Sequence, residues 1–127
     1  MFKILSGIDI VNNSRIKRLV ERSPKAVEDI FSCSEIDYCK KKKHFEQSFG
    51  ARFAVKEAIL KATDSHIFAF KLYEIETINL ESGKPIVKIK SKKLIQKIKT
   101  LLGKEEYIIN VSLSHEKEYS VAQVIIY

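Results

Sequence analysis

The sequence predicts an α+β fold: a single domain over residues 1–127 whose helices pack on a small antiparallel sheet. The chain has 127 residues, and 45% of them are hydrophobic, which supplies enough apolar volume for one core and hardly for two. Helical periodicity dominates the first half of the chain, whereas strands joined by short turns dominate the second half. Helices grouped ahead of antiparallel strands are typical of the α+β class.

The first part of the chain contains one strand and three short helices. We expect the strand over residues 4–11 and the helices over residues 15–22, 24–31 and 35–42. Asn13 or Ser14 can cap the first of these helices, and Pro24 stands at the first helical position of the second. Ser34 with Asp37 has the spacing of a capping box for the third helix.

Two features of these elements bear on function. The strand is apolar except for Gly7 and a single carboxylate, Asp9, and an aspartate in such a place often only caps a neighbouring loop. The helix that follows carries an arginine row, Arg15, Arg18 and Arg22, along one stripe because these residues are spaced by three and four positions. A row of this kind is either solvated surface or a binding site for an acidic partner.

The central helix is expected over residues 46–63. Its segment 52–61 is apolar on most of its circumference yet carries four charges: Arg52, Lys56, Glu57 and Lys61. Such a helix is expected to be buried, and an unpaired buried charge is costly. Lys56, Glu57 and Lys61 should therefore find each other, a metal or a charged ligand. The simplest alternative is an i,i+4 pair between Glu57 and Lys61, worth about 0.2–0.5 kcal/mol.

The second half of the chain turns to strands. We expect them over residues 73–80, 85–90, 107–114 and 119–126, with a turn at 81–84 between the first two. Ser91 opens a helix with an apolar stripe, and Gly103 is its C-terminal cap. The sequence contains no internal repeat, low-complexity tract or linker that would divide this arrangement.

The formal net charge of +7 favours an anionic partner, which can be nucleic acid, a membrane surface, a phosphorylated small molecule or an acidic protein. The basic run at residues 40–44 lacks the interleaved aromatic residues of a single-strand nucleic-acid surface. No apolar run approaches the roughly 18 residues of a membrane span. Cys33 and Cys39 lack metal-type spacing and suit structural roles in a reducing compartment. We therefore expect a cytoplasmic protein that binds neither nucleic acid nor membrane.

Four short motifs occur in the order and spacing of one enzyme family: Gly7-Ile-Asp-Ile10, Arg52-Phe-Ala-Val-Lys-Glu-Ala58 followed by Lys61-Ala62, Gly83-Lys84-Pro85, and Ser112-Leu-Ser-His115. With them the chain resembles holo-[acyl-carrier-protein] synthase, of the 4′-phosphopantetheinyl transferase family, nearly end to end. The resemblance implies that family's fold and its reaction in fatty acid biosynthesis. In that reaction the 4′-phosphopantetheine group of coenzyme A moves to a serine of apo acyl carrier protein, and adenosine 3′,5′-bisphosphate is released.

The resemblance implies a catalytic set of four residues. Asp9 and Glu57 would hold Mg²⁺, with the coenzyme A diphosphate and waters completing its octahedron. Lys61 would neutralise the bridging oxygen or protonate the leaving phosphate. His115 would donate to a phosphate oxygen through one ring nitrogen, although a histidine after a strand is otherwise usually structural. The base for the serine proton is either a metal-bound water or a carboxylate.

The resemblance also implies contacts to both substrates. Arg52 and Lys56 would contact phosphates of coenzyme A, unless they form structural pairs within the protomer. The segment Gly83-Lys84-Pro85 would line the adenine or phosphate end, or serve only as a hairpin turn. The arginine row corresponds to the family's docking helix for the acidic acyl carrier protein. A homotrimer is implied as well, because the family builds its active site between neighbouring subunits.

One departure from the family is the loop after the central helix, where a glycine-rich turn is usual and this chain has Thr63-Asp64-Ser65-His66. Glycine permits positive φ and close backbone approach, so this loop must take another path or contact coenzyme A through side chains. A transferase-like subunit that has lost activity is therefore one alternative. A small basic nucleic-acid-binding protein is another, but Asp9 and Glu57 would repel a phosphate backbone unless a metal intervened.

Overall fold

One long helix packs across a three-stranded antiparallel sheet in the computed structural model, which describes residues 3–127. Met1 and Phe2, which fall within the predicted domain, lie outside the described residues. The elements in chain order are β1 (Leu5–Asn12), α1 (Asn13–Arg22), α2 (Pro24–Ile30), α3 (Cys33–Lys40), α4 (Phe45–Ala62), β2 (Ile75–Asn79), β3 (Pro85–Ile89), α5 (Lys92–Leu102), β4 (Ile109–His115) and β5 (Tyr119–Ile126). The larger sheet has the order β1-β5-β4, and β2 and β3 form a separate hairpin. This architecture confirms the predicted α+β class.

The central helix, α4, lies in the core because almost every face of it is covered. Phe49 and Ile59 are fully buried, and the helix packs on β1 and β5. The approach of β1 to α4 depends on Gly7, since a Cβ at this position would overlap the backbone carbonyl of Ala58. Glycine thus allows β1 to touch the helix backbone just before the strand reaches Asp9.

The cap of α1 differs from both predicted candidates. Asn12 is the cap, and its side-chain oxygen accepts a hydrogen bond from the backbone N–H of Ser14 at 2.9 Å. Asn13 is instead fully buried and donates from Nδ2 to the backbone carbonyl of Glu116 at 2.9 Å. The prediction was wrong because Asn13 satisfies the turn between β4 and β5 rather than its own helix.

The capping box of α3 is formed by Ser32 and Glu35, so the predicted box of Ser34 and Asp37 was wrong. The Ser32 hydroxyl accepts from the Glu35 backbone N–H at 3.2 Å, and the Glu35 carboxylate accepts from the Ser32 backbone N–H at 3.0 Å. The same carboxylate also accepts from the backbone N–H of Thr77 at 3.1 Å. These contacts to a buried carboxylate set the start of α3 at Cys33.

Among residues 3–127, no helix has both the length and the apolar character needed to cross a membrane. The two cysteines are free thiols, and Cys39 is buried whereas Cys33 is exposed. Burial raises the pKa of the Cys39 thiol to about 12. A thiol with so high a pKa is unreactive at neutral pH, so Cys39 acts as a packed core residue.

Candidate functional site

Two clefts on neighbouring faces of α4 contain most of the residues that the sequence singled out. We call one the carboxylate cleft; it has a volume of about 330 Å³, and its lining includes Asp9, Arg15, Leu19, Phe53 and Glu57. We call the other the arginine cleft; its volume is also about 330 Å³, and its lining includes Tyr38, Arg52, Asn79, Gly83, Pro85 and His115. Each cleft gathers side chains from several elements, but within this chain the two sets remain separate.

Asp9 and Glu57 reach the carboxylate cleft from β1 and α4, which the missing side chain of Gly7 allows to approach closely. Burial raises the pKa of Glu57, and the charge of Asp9 raises it further, while Lys61 acts in the opposite direction. A partly buried carboxylate whose ionisation is opposed by a neighbouring negative charge favours the binding of a cation.

Lys61 provides one such cation. Its Nζ donates to Asp9 Oδ1 at 2.9 Å and to the backbone carbonyl of Ile8 at 3.0 Å. The ion pair of Lys61 is therefore made to the neighbouring strand, and not to Glu57 one helical turn away. Because 56% of the Lys61 side chain is exposed, the pair is of the weak, solvated kind that a ligand can displace.

The carboxylate oxygens in the carboxylate cleft fit Mg²⁺ better than a metal whose ligands all come from the protein. Mg²⁺ commonly binds through one or two carboxylates, with substrate phosphates and waters as its other ligands. Within residues 3–127, no group of three or more histidine, cysteine, aspartate or glutamate side chains is arranged to hold a metal ion. That part of the chain therefore contains no closed structural site of the zinc type.

Arg52 lies at the centre of the arginine cleft. It is only 4% exposed, its guanidinium carbon lies 4.2 Å from the centre of the Tyr38 ring, and its Nη2 donates to Asn79 Oδ1 at 2.5 Å. The Nε of Arg52 is buried and has no hydrogen-bond partner in the described part of the chain. An unpaired buried donor costs about 1–3 kcal/mol, so an anionic ligand oxygen would complete this group.

The turn before β3 is fixed to Arg52 through Asn79. Asn79 Nδ2 donates to the backbone carbonyl of Gly83 at 3.0 Å, while its Oδ1 accepts from Arg52. Gly83 has a φ of +92°, which glycine adopts without strain. Gly83 and Pro85 both line the arginine cleft, whereas Lys84 between them is exposed.

His115 ends β4 and belongs to the arginine cleft together with Arg52. Its Nδ1 lies 2.9 Å from Oε1 of Gln47. His115 therefore lies, within this chain, in a different cleft from Asp9 and Glu57, although the resemblance grouped all three in one catalytic set.

Of the two roles expected for Lys56, the structure favours the structural pair over the phosphate contact. This residue is fully buried, and its Nζ donates to the Glu35 carboxylate at 2.7 Å, to the Leu72 carbonyl at 3.0 Å and to the Ile75 carbonyl. Burial lowers the pKa of Lys56, and the charge of Glu35 works against that shift. With three acceptors already bound and no exposed surface, Lys56 is a structural cation and not a phosphate contact.

The arginine row lies on α1, where all three side chains are exposed. Arg15 also lines the carboxylate cleft. A larger and mostly apolar groove of about 620 Å³ adjoins that cleft and shares Leu19 and Phe53 with it. We call this the apolar groove; the arginine row and the apolar groove together flank the carboxylate cleft.

The glycine-free loop after α4 keeps the backbone shape that glycine usually provides. Asp64 adopts a φ of +50°, a left-handed conformation that aspartate tolerates better than most residues. The Thr63 hydroxyl donates to the Ile59 carbonyl at 2.9 Å. Lys97 of α5 donates to the Asp64 carbonyl at 3.1 Å and to the Ser65 hydroxyl at 2.9 Å. Side chains therefore hold this loop in place.

Three residues of the site region had no assigned role in the sequence: Tyr38, Gln47 and Asn79. Asn79 lies two residues before the predicted turn at 81–84, and asparagine is favoured near turns because its side chain bonds to nearby backbone groups; that signal could have identified it. Tyr38 and Gln47 lie within helices and contact Arg52 and His115 only through the tertiary fold.

Comparison with known proteins gives a consistent result. Residues 6–122 match the model of the 4′-phosphopantetheinyl transferase superfamily. A relative from Clostridium tetani, named holo-[acyl-carrier-protein] synthase, is 38% identical over 120 residues, which cover 94% of this chain and 92% of the relative. The structure of the holo-[acyl-carrier-protein] synthase of Helicobacter pylori in complex with coenzyme A aligns with a TM-score of 0.80 at 28% identity, covering 97% of this chain and 100% of that one. A holo-(acyl-carrier-protein) synthase from Bacillus anthracis, in complex with CoA (3′,5′-ADP), gives a TM-score of 0.75 at 31% identity, covering 96% and 94%.

Proposed function

This chain belongs to the 4′-phosphopantetheinyl transferase superfamily, and on that premise we propose that it transfers 4′-phosphopantetheine from coenzyme A to a serine of apo acyl carrier protein. The reaction is Mg²⁺-dependent, yields holo acyl carrier protein and adenosine 3′,5′-bisphosphate, and serves fatty acid biosynthesis in the cytoplasm, a compartment that suits the free thiols. The observation that supports it most directly is the convergence of Asp9 and Glu57 from β1 and α4 in one cleft.

In the proposed reaction the protein positions and neutralises phosphates. Mg²⁺ held by Asp9 and Glu57 would offset the charge of the coenzyme A diphosphate. Lys61, which lies within hydrogen-bond distance of Asp9, supplies a positive charge to the bridging oxygen or a proton to the leaving phosphate. Arg52 donates from its unpaired Nε to a phosphate oxygen, and His115 donates to another.

We further propose that the active site is completed between subunits of a homotrimer. The carboxylate cleft and the arginine cleft lie on different faces of α4, yet one coenzyme A molecule must contact residues of both. The outer face of β1, an edge strand, exposes Ile8 and Ile10 by 60% and 62%, and Ile4, just before the strand, is exposed by 67%. A neighbouring subunit on this face would cover the apolar edge and bring a second set of residues to the site. Sedimentation equilibrium should give a trimer, and a fully active monomer would overturn this assignment.

The acyl carrier protein is proposed to dock on α1. The exposed arginine row offers positive charge to an acidic partner, and the adjoining apolar groove offers uncharged contact area. Charge complementarity of this kind mainly sets orientation and association rate. Such docking would place the acceptor serine next to the carboxylate cleft.

Mass spectrometry of apo acyl carrier protein tests the proposed reaction directly. After incubation with coenzyme A, Mg²⁺ and this protein, the carrier should gain the mass of one phosphopantetheine. Asp9→Asn should abolish that gain while circular dichroism shows an intact fold, because the substitution keeps the shape of the side chain and removes a metal-binding charge. No gain of mass with the wild-type chain would reject the transferase, and would favour a subunit without activity.

A further inference from the structure

Gln47, near the start of α4, has no role in the chemistry proposed above, yet it contacts His115. Its Oε1 lies 2.9 Å from His115 Nδ1. An amide oxygen carries no hydrogen, so this bond forms only when Nδ1 of the imidazole carries a proton. The neutral ring then has its lone pair on Nε2, and the protonated ring donates from Nε2. In either state Nε2 is the nitrogen left for a ligand.

The backbone around this pair is held by buried polar contacts. Ser120, which faces His115 across β4 and β5, is fully buried. Its hydroxyl lies 2.8 Å from Asn13 Oδ1 and 3.2 Å from the Gln47 backbone carbonyl. Asn13 also bonds to the β4–β5 turn. The backbone at Gln47 and the end of β4 at His115 are therefore held by the same group of hydrogen bonds. That support uses the main chain of Gln47 and not its side chain, so the side chain can be replaced without removing it.

Gly50 allows this support to form. A Cβ at Gly50 would overlap Asn13 Oδ1 and would lie 3.0 Å from the Ser120 hydroxyl. The missing side chain therefore lets α4 approach β5 closely enough for the Gln47 carbonyl to meet Ser120. The position of Gln47 relative to His115 is thus fixed by close backbone packing.

We propose that Gln47 is a positioning residue that fixes the tautomer and ring orientation of His115, so that Nε2 faces the arginine cleft and, in the protonated ring, donates to coenzyme A. The identity of this ligand rests on the proposed function, whereas the tautomer does not. Residues that orient a ligand-binding histidine through its other nitrogen have this effect in many sites, because they fix which nitrogen carries the proton.

The tautomer can be measured by nitrogen NMR without any substrate. Long-range ¹H–¹⁵N spectra of the labelled protein at pH 9, where imidazole is neutral, report which ring nitrogen carries hydrogen; His115→Gln assigns the signal among the three histidines. In the wild type we expect the proton on Nδ1. Gln47→Glu should give the same result, because its carboxylate also accepts a hydrogen bond. Gln47→Met should shift the proton towards Nε2. A proton on Nε2 in the wild type, or an unchanged tautomer in Gln47→Met, would overturn the proposal.

Steady-state kinetics then test the contact to coenzyme A. Gln47→Met should raise the KM for coenzyme A by about threefold to tenfold, because the protonated ring, which donates to the phosphate, loses the acceptor of its Nδ1–H. The KM for the carrier protein should not change, and Gln47→Glu should restore the wild-type KM for coenzyme A. Gln96→Met, on the exposed side of α5, is the matched control and should change neither constant. An unchanged KM for coenzyme A in Gln47→Met rejects the positioning role, whereas absence of transfer by the wild type rejects the proposed function and leaves the NMR result standing.

Discussion

Replacement of Lys56 by methionine separates the role that the sequence motif implied for this residue from the role that the structure gives it. The motif implied a contact to coenzyme A, so Lys56→Met would raise the KM for coenzyme A and leave stability nearly unchanged. The structure places the ammonium 2.7 Å from the Glu35 carboxylate, with both side chains fully buried. Stability should therefore fall, and the KM for coenzyme A should stay at the wild-type value.

The expected magnitude follows from what the substitution leaves behind. Glu35 would keep its bonds to the backbone N–H groups of Ser32 and Thr77, but its charge would have no buried partner. The carbonyls of Leu72 and Ile75 would lose their donor as well. Breaking one side of a buried ion pair typically costs about 3–5 kcal/mol, out of roughly 5–15 kcal/mol for a whole domain. For a chain of this size that loss lowers Tm by about 10–20 °C.

Urea unfolding followed by circular dichroism at a fixed protein concentration measures the free energy of unfolding. Lys93→Met, on the exposed side of α5, is the matched control and should change that free energy by no more than about 0.5 kcal/mol. Adding Glu35→Gln to Lys56→Met removes the unpaired buried charge and should recover part of the lost free energy of unfolding. A loss below about 1 kcal/mol for Lys56→Met, or a raised KM for coenzyme A at a temperature where the variant is folded, would refute the structural role.

Three further substitutions test other parts of the site. The pKa of Glu57 is raised by burial and then by the charge of Asp9, so ionised Glu57 destabilises the folded chain, and stability is lost as pH rises through that raised pKa. Without added Mg²⁺, Glu57→Gln should therefore raise the Tm of the protein at pH 7–8, with no gain near the ordinary carboxyl pKa of 4.5. The same substitution should abolish transfer. A Tm gain that is independent of pH would contradict this reasoning. Gly7→Ala should cost about 3 kcal/mol or more in urea unfolding, because its Cβ meets helix backbone that cannot move aside; a loss under 1 kcal/mol would show that β1 can shift freely. Arg18→Glu should raise the KM for the carrier protein, make it less sensitive to salt and leave the KM for coenzyme A unchanged. Lys93→Glu is its control. An unaltered KM for the carrier protein would show that the arginine row is solvated surface and not a docking site.

Much of the fold could be predicted from local patterns, because hydrophobic period and turn residues act over a few positions. The bounds of α4 and of the β2–β3 hairpin lie close to those expected, since the period changes sharply at each end. Caps were less predictable. The pairs Ser32–Glu35 and Ser34–Asp37 have the same spacing, but only the first has the glutamate that a capping box prefers. Glu35 is also held by a buried lysine from a distant part of the chain.

The candidate site could be predicted only as far as its motifs reach. The motifs named Arg52 and His115, but not their neighbours Asn79 and Gln47, because these contacts join residues 27 and 68 positions apart. No helical or strand period encodes a pairing at that distance. Gln47 in particular lies in a stretch with an ordinary helical pattern. Its contact to His115 exists because the end of β4 lies beside α4 in the fold.

The four charges between residues 52 and 61 of α4 show how one helix can divide charges between stability and chemistry. Arg52 and Lys56 are four residues apart and share one stripe, which faces α3 and β2, where Tyr38, Asn79 and Glu35 receive them. Glu57 and Lys61 are also four apart, but their stripe is rotated by about 100° and faces Asp9 and the carboxylate cleft. Helical spacing alone favoured a Glu57–Lys61 pair, worth a few tenths of a kcal/mol. Partners on other elements overrode it, since Asp9 is brought to Lys61 by a strand that only glycine allows so near. Because the two stripes serve different clefts, exchanging charges between them should disrupt both the core and the site, even though net charge and helix propensity would stay the same.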